Sequence, residues 1–239
     1  WAGHGNHNDV TAQKFVPECT FDEFLAAALH AAKNSRTPGI EQTVIDLRPS
    51  LFDPDFEPQL TAKNPKGGLD IIQASSNNFY ARDVTLADLE KFKEQHPLNS
   101  RVEKNAKGEL VEDVYRAGTP DGKIPPGRYA KYLSRANDDL RKARKFAEPG
   151  QGAVIDALIR FYQTGDFKDW LTFGALWVRN NPHVDFANGF IEVYRDAPSA
   201  TASAQSFVSV TADNLNHVME QIAGNAQNSE NKAHRPDPH

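Results

Sequence analysis

Three successive segments between Pro126 and Trp177 carry apolar residues at helical spacing, and this pattern constrains the fold more than any other feature of the sequence. Gly165 separates the second segment from the third, and Asp166 or Asp169 can cap the third. The apolar positions are Tyr129, Tyr132, Leu133, Ala136 and Leu140, then Val154, Leu158 and Phe161, and then Trp170, Phe173, Leu176 and Trp177. Three amphipathic helices predict a predominantly helical region with a heavy apolar face.

Short β-structure is predicted on both sides of this region. Residues 189–194 and 206–210 are rich in β-branched and aromatic side chains, which favours strands. Residues 100–104 and 109–115 flank the turn sequence 105–108 and predict a hairpin. The sequence therefore predicts an α+β fold, predominantly helical, with a few short antiparallel strands or hairpins.

Local signals place the remaining elements. Capping boxes at Thr20 and Thr85 predict a helix from Phe21 to about Lys33 and a short helix that Pro97 ends. The Pro-rich residues 48–58 predict an ordered loop packed through apolar side chains, namely Leu51, Phe52 and Phe56. A last helix is expected at residues 213–226, followed by a polar tail.

Composition excludes several classes of protein. The 27 Lys and Arg against 32 Asp and Glu give a net charge of −5, which argues against a general nucleic-acid binder. No apolar run approaches the roughly 18 residues of a membrane-spanning helix. Cys19 is the single cysteine, so an internal disulfide is excluded.

Familiar catalytic motifs are absent from the sequence. It contains no His-Glu-x-x-His, no Cys-x-x-Cys, no Walker loop and no Gly-x-Ser-x-Gly. His4, His7 and Asp9 form the densest group of potential zinc ligands. Because no helix holds them and no further ligand is identified, a hydrogen-bonded loop is the preferred interpretation.

Two polar-aromatic segments are more informative. Residues 75–80, SSNNFY, predict a turn held by its own side chains or, less favoured, part of a peptide-binding surface. In residues 183–196, Asp185 and the nearby amide of Asn188 can bind a free α-ammonium by a charge-assisted hydrogen bond. Strand parity places Phe190, Glu192 and Tyr194 on one face. A purely structural role, such as an ion pair of Glu192 with Arg195, is equally compatible with this segment.

At these residues the sequence resembles the dipeptidyl peptidase III family of zinc exopeptidases, especially its bacterial members. The resemblance rests on residues 184–196 with 205–210, on residues 70–80, on residues 1–15, and on the intervening segments 109–115 and 159–166. It implies a two-lobed peptidase in which one lobe, part helical and part β, helps to hold the peptide and a mainly helical lobe carries zinc. The family's zinc signature is not in this sequence.

The resemblance also implies roles for particular residues. Asp185 would lie near the amino terminus of the substrate, and residues 188–194 would line the cleft. Asn78, Tyr80, Asn188 and Glu192 would make backbone or cleft contacts with the peptide. Residues 1–210 are expected to form the amino-terminal lobe, and residues 211–239 a helix and polar tail leading towards the zinc lobe.

We therefore expect the amino-terminal, substrate-positioning part of such a peptidase, as a truncated form or a segment of a longer chain, inactive in isolation. Zinc is implied for the complete enzyme and no cofactor for this chain. The expected partners are a peptide and either the zinc lobe or a second copy, with no nucleic acid and no membrane, in bacterial cytoplasm or periplasm. An exposed apolar surface or unpaired sheet edge predicts self-association or marginal stability. The alternatives are a non-catalytic peptide-binding or interaction protein and a helical scaffold without a ligand.

Overall fold

A computed structural model describes residues 13–35, 38–76 and 78–226. The loop with His4, His7 and Asp9 and the polar tail from residue 227 lie outside these residues. The described part contains eight α-helices and two antiparallel hairpins, which confirms the predicted α+β class. None of its helices has the length and apolar character needed to cross a membrane.

The first and third helices pack through aromatic rings. α1 (Phe21–Ser35) begins with the predicted capping box, in which Thr20 Oγ1 accepts a hydrogen bond from Glu23 N at 3.2 Å and the Glu23 carboxylate accepts one from Thr20 N at 2.8 Å. α2 (Ile40–Asp46) leads directly into α3 (Arg48–Phe52). The Phe52 ring contacts the rings of Phe21 and Phe24 edge-on, each at 5.6 Å between centroids.

α3 corrects the prediction of a loop in the Pro-rich segment. Pro49 stands in the first turn of α3, where the missing N–H would have had no intrahelical partner. Leu51 is buried, as predicted, while Phe52 and Phe56 are partly buried. A proline thus begins this short helix instead of preventing it.

The second capping box is also confirmed, but its helix is shorter than predicted. α4 (Leu86–Leu89) begins at Thr85, whose hydroxyl accepts from Asp88 N, and spans four residues. The chain does not continue as a helix to Pro97. The backbone amides of Gln95 and His96 instead donate to the Glu112 carboxylate, each at 2.8 Å, and so hold this segment against a strand.

The first hairpin joins β1 (Ser100–Lys104) to β2 (Leu110–Val114), as predicted, with Val102 opposite Glu112. Residues 79–81 cover the outer edge of β1, because Ala81 N donates to Val102 O and Val102 N donates to Phe79 O. Residues 127–128 cover the outer edge of β2 through Arg128 N, which donates to Val114 O at 2.8 Å.

Three helices form the main core, as the apolar pattern predicts. They are α5 (Ala130–Ala143), α6 (Pro149–Thr164) and α7 (Phe167–Arg179). Gly165 ends α6 in a left-handed conformation with φ of 67°, and Asp166 caps α7 by accepting from Lys168 N. Val154 and Leu158 are fully buried in this core, and the rings of Trp170 and Phe173 lie 5.2 Å apart beside them.

The second hairpin joins β3 (Val184–Glu192) to β4 (Ser203–Val210) and precedes α8 (Asp213–Gly224). β3 begins five residues before the predicted start at Gly189. That glycine lies inside the strand, where a Cβ would stand 2.8 Å from the Trp170 ring. A register shift between Phe190 and Glu192 and the end of β3 at Glu192 make the predicted common strand face of Phe190, Glu192 and Tyr194 wrong.

Candidate functional site

Asp185 lies near the start of β3 with one carboxylate oxygen fixed. Its Oδ1 accepts hydrogen bonds from the Trp177 indole Nε1 at 3.0 Å and from Phe186 N at 2.8 Å. The same Trp177 N–H also donates to Phe186 O at 2.9 Å, so α7 holds both the strand and the carboxylate. Oδ2 makes no hydrogen bond with any described residue, and this oxygen is therefore available to a ligand.

A cavity of about 620 Å³ opens beside Asp185. It lies between α5, α6 and the β3–β4 hairpin, and its walls are mostly apolar. The apolar wall residues include Leu140, Phe146, Ile155, Val184, Phe186 and Val208. Two carboxylates, those of Asp185 and Glu148, belong to the same lining. An apolar concave site with acidic groups suits a ligand that combines an apolar group with a cation.

Asn188 lines the same cavity, but its amide is used within the fold. Its Oδ1 accepts a hydrogen bond from the Tyr162 hydroxyl, and its Nδ2 donates to Ser206 Oγ at 2.9 Å. These bonds connect α6, β3 and β4 at one point. Burial raises the pKa of Tyr162, so its hydroxyl stays protonated and acts as the donor.

Glu192 lies at the end of β3 beside a second cavity, of about 790 Å³. This cavity is formed by α7 and the β3–β4 hairpin, and its wall includes Trp170, Trp177, Ile191 and Phe207. Asn188 contributes to both cavities. Asp185, Asn188 and Glu192 therefore lie along one strand, but Asp185 and Glu192 line different cavities.

Tyr80 and Asn78 lie elsewhere, in the part of the molecule around β1. The Tyr80 side chain is buried, and its hydroxyl donates to Asp196 Oδ2 at 2.8 Å. Tyr80 also lines a separate cavity of about 380 Å³ that shares no lining residue with the other two. Asn78 is exposed. The structure does not bring these two residues together with Asp185.

The turn lies at residues 71–74, just before the predicted residues 75–80, and the side chain of Ser75 bonds outside that segment. Its hydroxyl accepts from Ala62 N at 2.8 Å and donates to Ile71 O at 2.7 Å. The segment is therefore tied to two neighbouring parts of the backbone through a buried side chain.

Asp196, in the loop between β3 and β4, connects that loop to Tyr80 near β1. Its Oδ2 accepts from Tyr80 and also from Ala200 N at 2.7 Å and Thr201 N at 2.9 Å. Burial raises the pKa of Asp196, whereas the three donors lower it. Sequence reasoning did not single out Asp196, Tyr162 or the indole N–H of Trp177 as polar partners, because each of these bonds depends on the tertiary fold.

The implied zinc does not fit the described residues. Among residues 13–35, 38–76 and 78–226, no group of three or more His, Cys, Asp or Glu side chains is arranged to hold a metal ion. His4, His7 and Asp9 lie outside the described residues and stay a hypothesis.

Comparisons with known proteins agree with the resemblance seen in the sequence. The structure is similar to that of dipeptidyl-peptidase III from Corallococcus sp. strain EGB, with a TM-score of 0.52 and 16% sequence identity. The match covers 88% of this chain but only 38% of that one, so this chain spans well under half of the matched protein. A search of curated protein sequences finds no match. The model of Peptidase family M49 matches residues 61–231, which include both hairpins and helices α4 to α8, and the chain therefore belongs to Peptidase family M49.

Proposed function

We propose that this chain is the substrate-positioning part of an M49 peptidase that releases dipeptides from the amino termini of peptides. The observation that carries the proposal is the Asp185 carboxylate, which is held through one oxygen and open through the other at the edge of an apolar cavity. Membership of the family and the likeness to a dipeptidyl-peptidase III support the reaction class.

The chemistry of Asp185 suits a peptide amino terminus. An α-ammonium donates strong, charge-assisted hydrogen bonds to a carboxylate. Because Trp177 and Phe186 N fix Oδ1, the side chain loses little rotational freedom when a ligand binds Oδ2. The apolar cavity next to it offers room for the side chain of the first peptide residue.

The other predicted contacts have different roles in this proposal. Asn188 positions β3 through Tyr162 and Ser206, and its second amide hydrogen is the one left for a peptide carbonyl. Glu192 would act at the second cavity, further along the strand. Tyr80 and Asn78 lie apart from Asp185, so a peptide contact there would belong to a different portion of a longer ligand.

The isolated chain is proposed to bind peptides without cleaving them. Peptide hydrolysis in a metallopeptidase needs an activated water and a general base beside the scissile carbonyl. The sequence contains no His-Glu-x-x-His motif to hold such a centre. Catalysis would require the family's zinc-bearing part to be supplied separately.

Calorimetry with a tetrapeptide tests the role of Asp185. The peptide with a free amino terminus should bind at least about tenfold more tightly than its N-acetylated form, and Asp185→Asn should remove that difference. Asp139→Asn is the matched control, because Asp139 is an exposed carboxylate of α5 paired with Lys142. Equal binding of the free and acetylated peptides to the unmodified protein would contradict the proposal.

A turnover assay tests the absence of catalysis. A chromogenic dipeptidyl substrate should not be hydrolysed before or after zinc is added. Hydrolysis that a chelator abolishes would show that the isolated chain holds a catalytic metal. Peptide binding that never leads to turnover, even when the zinc-bearing part of a family member is supplied, would instead favour a non-catalytic peptide-binding protein.

A further inference from the structure

The loop between β3 and β4, residues 193–202, carries a buried carboxyl group that the proposed function leaves without a role. Asp196 has no exposed surface. Its Oδ2 accepts three hydrogen bonds, from the Tyr80 hydroxyl, Ala200 N and Thr201 N. Its Oδ1 is equally buried and accepts none from any described residue. The two oxygens of this carboxyl group therefore lie in opposite environments.

This asymmetry favours a neutral carboxylic acid over a carboxylate. In a carboxylate both oxygens share the negative charge, and a buried charged oxygen without a donor is costly. In the neutral acid Oδ2 is the carbonyl oxygen, which still accepts hydrogen bonds, and Oδ1 carries the proton. Burial raises the pKa of Tyr80, so its hydroxyl stays protonated and remains a donor. Protonation of Asp196 therefore keeps all three bonds and removes the unsatisfied charge.

Charged side chains from other parts of the fold act on Asp196. Glu94 repels it: burial raises the pKa of Glu94, and the charges of Glu112 and Asp196 raise it further. Lys63 attracts it, although the Lys63 ammonium donates to Ser199 Oγ at 2.6 Å. Burial raises the pKa of Asp196 by more than the three donors and Lys63 lower it. Proton uptake by Asp196 is therefore easier than for an exposed aspartate.

The joint between this loop and the segment that leads into β1 is strained as well as buried. Leu98 has a φ of 76° and Ser199 a φ of 61°, left-handed values that are uncommon for residues with a side chain. Ala202 N donates to Leu98 O at 3.0 Å and so ties the loop to this segment. Strained residues persist only while the surrounding bonds hold them, which makes the joint sensitive to a change of charge at Asp196.

We propose that Asp196 makes this joint a pH-sensitive device, in which Oδ1 takes up a proton from solvent in mild acid and stabilises the joint, and loses it at higher pH. The change reaches β3, because the loop begins directly after Glu192. Ser203 Oγ also donates to Glu192 O at 3.1 Å, across the start and end of the loop. The device therefore acts on the end of β3 that borders the second cavity.

Urea unfolding of the full 239-residue chain at several pH values tests the proposal. Asp196→Asn keeps an acceptor oxygen for the three donors but carries no charge. Relative to this variant, the folding equilibrium constant of the unmodified protein should rise as the pH falls from neutral towards the ordinary value of 3.8, by up to about tenfold per pH unit. The sign follows because a raised pKa means that the folded state binds the proton more tightly. A ratio that stays constant or falls in acid would overturn the proposal.

NMR titration observes the same group in the unmodified protein, whatever the stability of the variant. The Asp196 carboxyl should titrate with a pKa above 3.8. Glu94→Gln removes the neighbouring like charge and should lower that pKa, whereas Glu90→Gln, at an exposed residue, is the matched control and should leave it unchanged. A pKa at or below the ordinary value, or equal effects of the two variants, contradicts proton uptake by a buried Asp196.

Hydrogen exchange tests whether the proton stabilises the joint. The Ala202 amide, which donates to Leu98 O, should be several-fold more protected at about pH 5 than at about pH 8, after correction for intrinsic exchange. In Asp196→Asn its protection should be independent of pH. Protection that does not change with pH in the unmodified protein would show that Asp196 titrates without acting on the joint, and the device would then be refuted.

Discussion

The two hairpins have the same architecture but different surroundings. β1–β2 is covered at both edges by backbone, at residues 79–81 and 127–128. β3–β4 is covered at one edge only, where the side chains of Gln151 and Trp177 donate to the carbonyls of Val184 and Phe186. β4 itself is exposed along nearly its whole length. The first hairpin is thus covered at both edges within this chain, whereas no described backbone group covers the outer edge of β4.

This difference predicts that the first hairpin contributes mainly to stability, whereas the second carries the candidate binding residues. The covered hairpin contributes Val102 and Val114 to buried regions, and substitutions there should reduce the free energy of unfolding. In the second hairpin, β3 is anchored to the helices and carries Asp185 and Asn188, while β4 contributes little to the core. Substitutions in β4 should therefore change the free energy of unfolding less than substitutions in β1.

The largest expected effect is at the backbone that covers β2. In Gly127→Ala, the new Cβ would lie 2.2 Å from Val114 O, a backbone atom that cannot move without breaking the edge. We expect the free energy of unfolding to fall by roughly 3 kcal/mol. Urea unfolding followed by circular dichroism measures this loss.

Gly174→Ala is the control for that experiment. Gly174 lies within α7, and a Cβ there would meet no atom within 4 Å. Alanine has the higher helix propensity, so this variant should be as stable as the unmodified protein or more stable. Equal stability of the two glycine variants would show that residues 127–128 are not a tight cover for β2.

The next effect compares one substitution in the two hairpins. Val102 in β1 has no exposed surface, and Val102→Ala should cost about 2 kcal/mol because it leaves a cavity. Val208 in β4 is 69% exposed, and Val208→Ala should change stability by less than about 0.5 kcal/mol. Both values come from the same urea titrations. Similar losses in the two variants would mean that β4 is covered in solution.

A smaller effect is expected from the hydrogen bond between Tyr80, near β1, and Asp196, in the loop between β3 and β4. Tyr80→Phe removes the hydroxyl that donates to Asp196 Oδ2 and should cost about 1 kcal/mol at neutral pH. Burial already raises the pKa of Asp196, and loss of this donor should raise it further.

The pH dependence of that cost has a definite sign. A carboxyl group whose pKa is raised by folding binds its proton more tightly in the folded state. Such a group therefore destabilises the folded state when the pH is above its folded pKa. This destabilisation decreases as the pH falls towards the ordinary pKa of the carboxyl group. The cost of Tyr80→Phe should shrink on acidification, when Asp196 is protonated in both proteins. Unfolding titrations of both proteins at several pH values measure it, and a cost that grows in acid would contradict this assignment.

Sequence reasoning predicted what depends on neighbouring residues. The capping boxes at Thr20 and Thr85, the β1–β2 hairpin and the end of α6 at Gly165 each require only a few adjacent residues. The helix in the Pro-rich segment and the early end of α4 were missed. In the first case, a proline is well suited to the start of a helix. In the second case, the carboxylate of Glu112, in a later strand, accepts hydrogen bonds from the backbone amides of Gln95 and His96.

The candidate site was predictable only in part. Asp185 and Asn188 were recognisable as an acid and an amide close together in a strand-like segment. Their actual partners are Trp177 and Tyr162. Apolar spacing assigns Trp177 to a helix face and does not identify Tyr162, and it does not reveal where an indole N–H or a phenol hydroxyl points. The bond of Tyr80 with Asp196 spans 116 residues, and local pattern carries no information on such a contact.

The smallest expected effect comes from removing a charge at the end of β1, where Lys104 forms an ion pair with Asp88. Uncharged β4 has no ion pair of this kind. A hydrogen bond from Lys104, followed by donors of Thr85, lowers the pKa of Asp88 to about 2. Lys104→Met should raise that pKa, though not to its ordinary value, because the Thr85 donors remain. Carboxyl titration by NMR measures it, with the exposed Lys107→Met as control. Since the lowered pKa favours the folded state above pH 3.8 and this gain disappears as pH falls towards 2, the variant should lose less stability in acid. An unchanged pKa would mean that the ion pair joining α4 to β1 does not persist in solution.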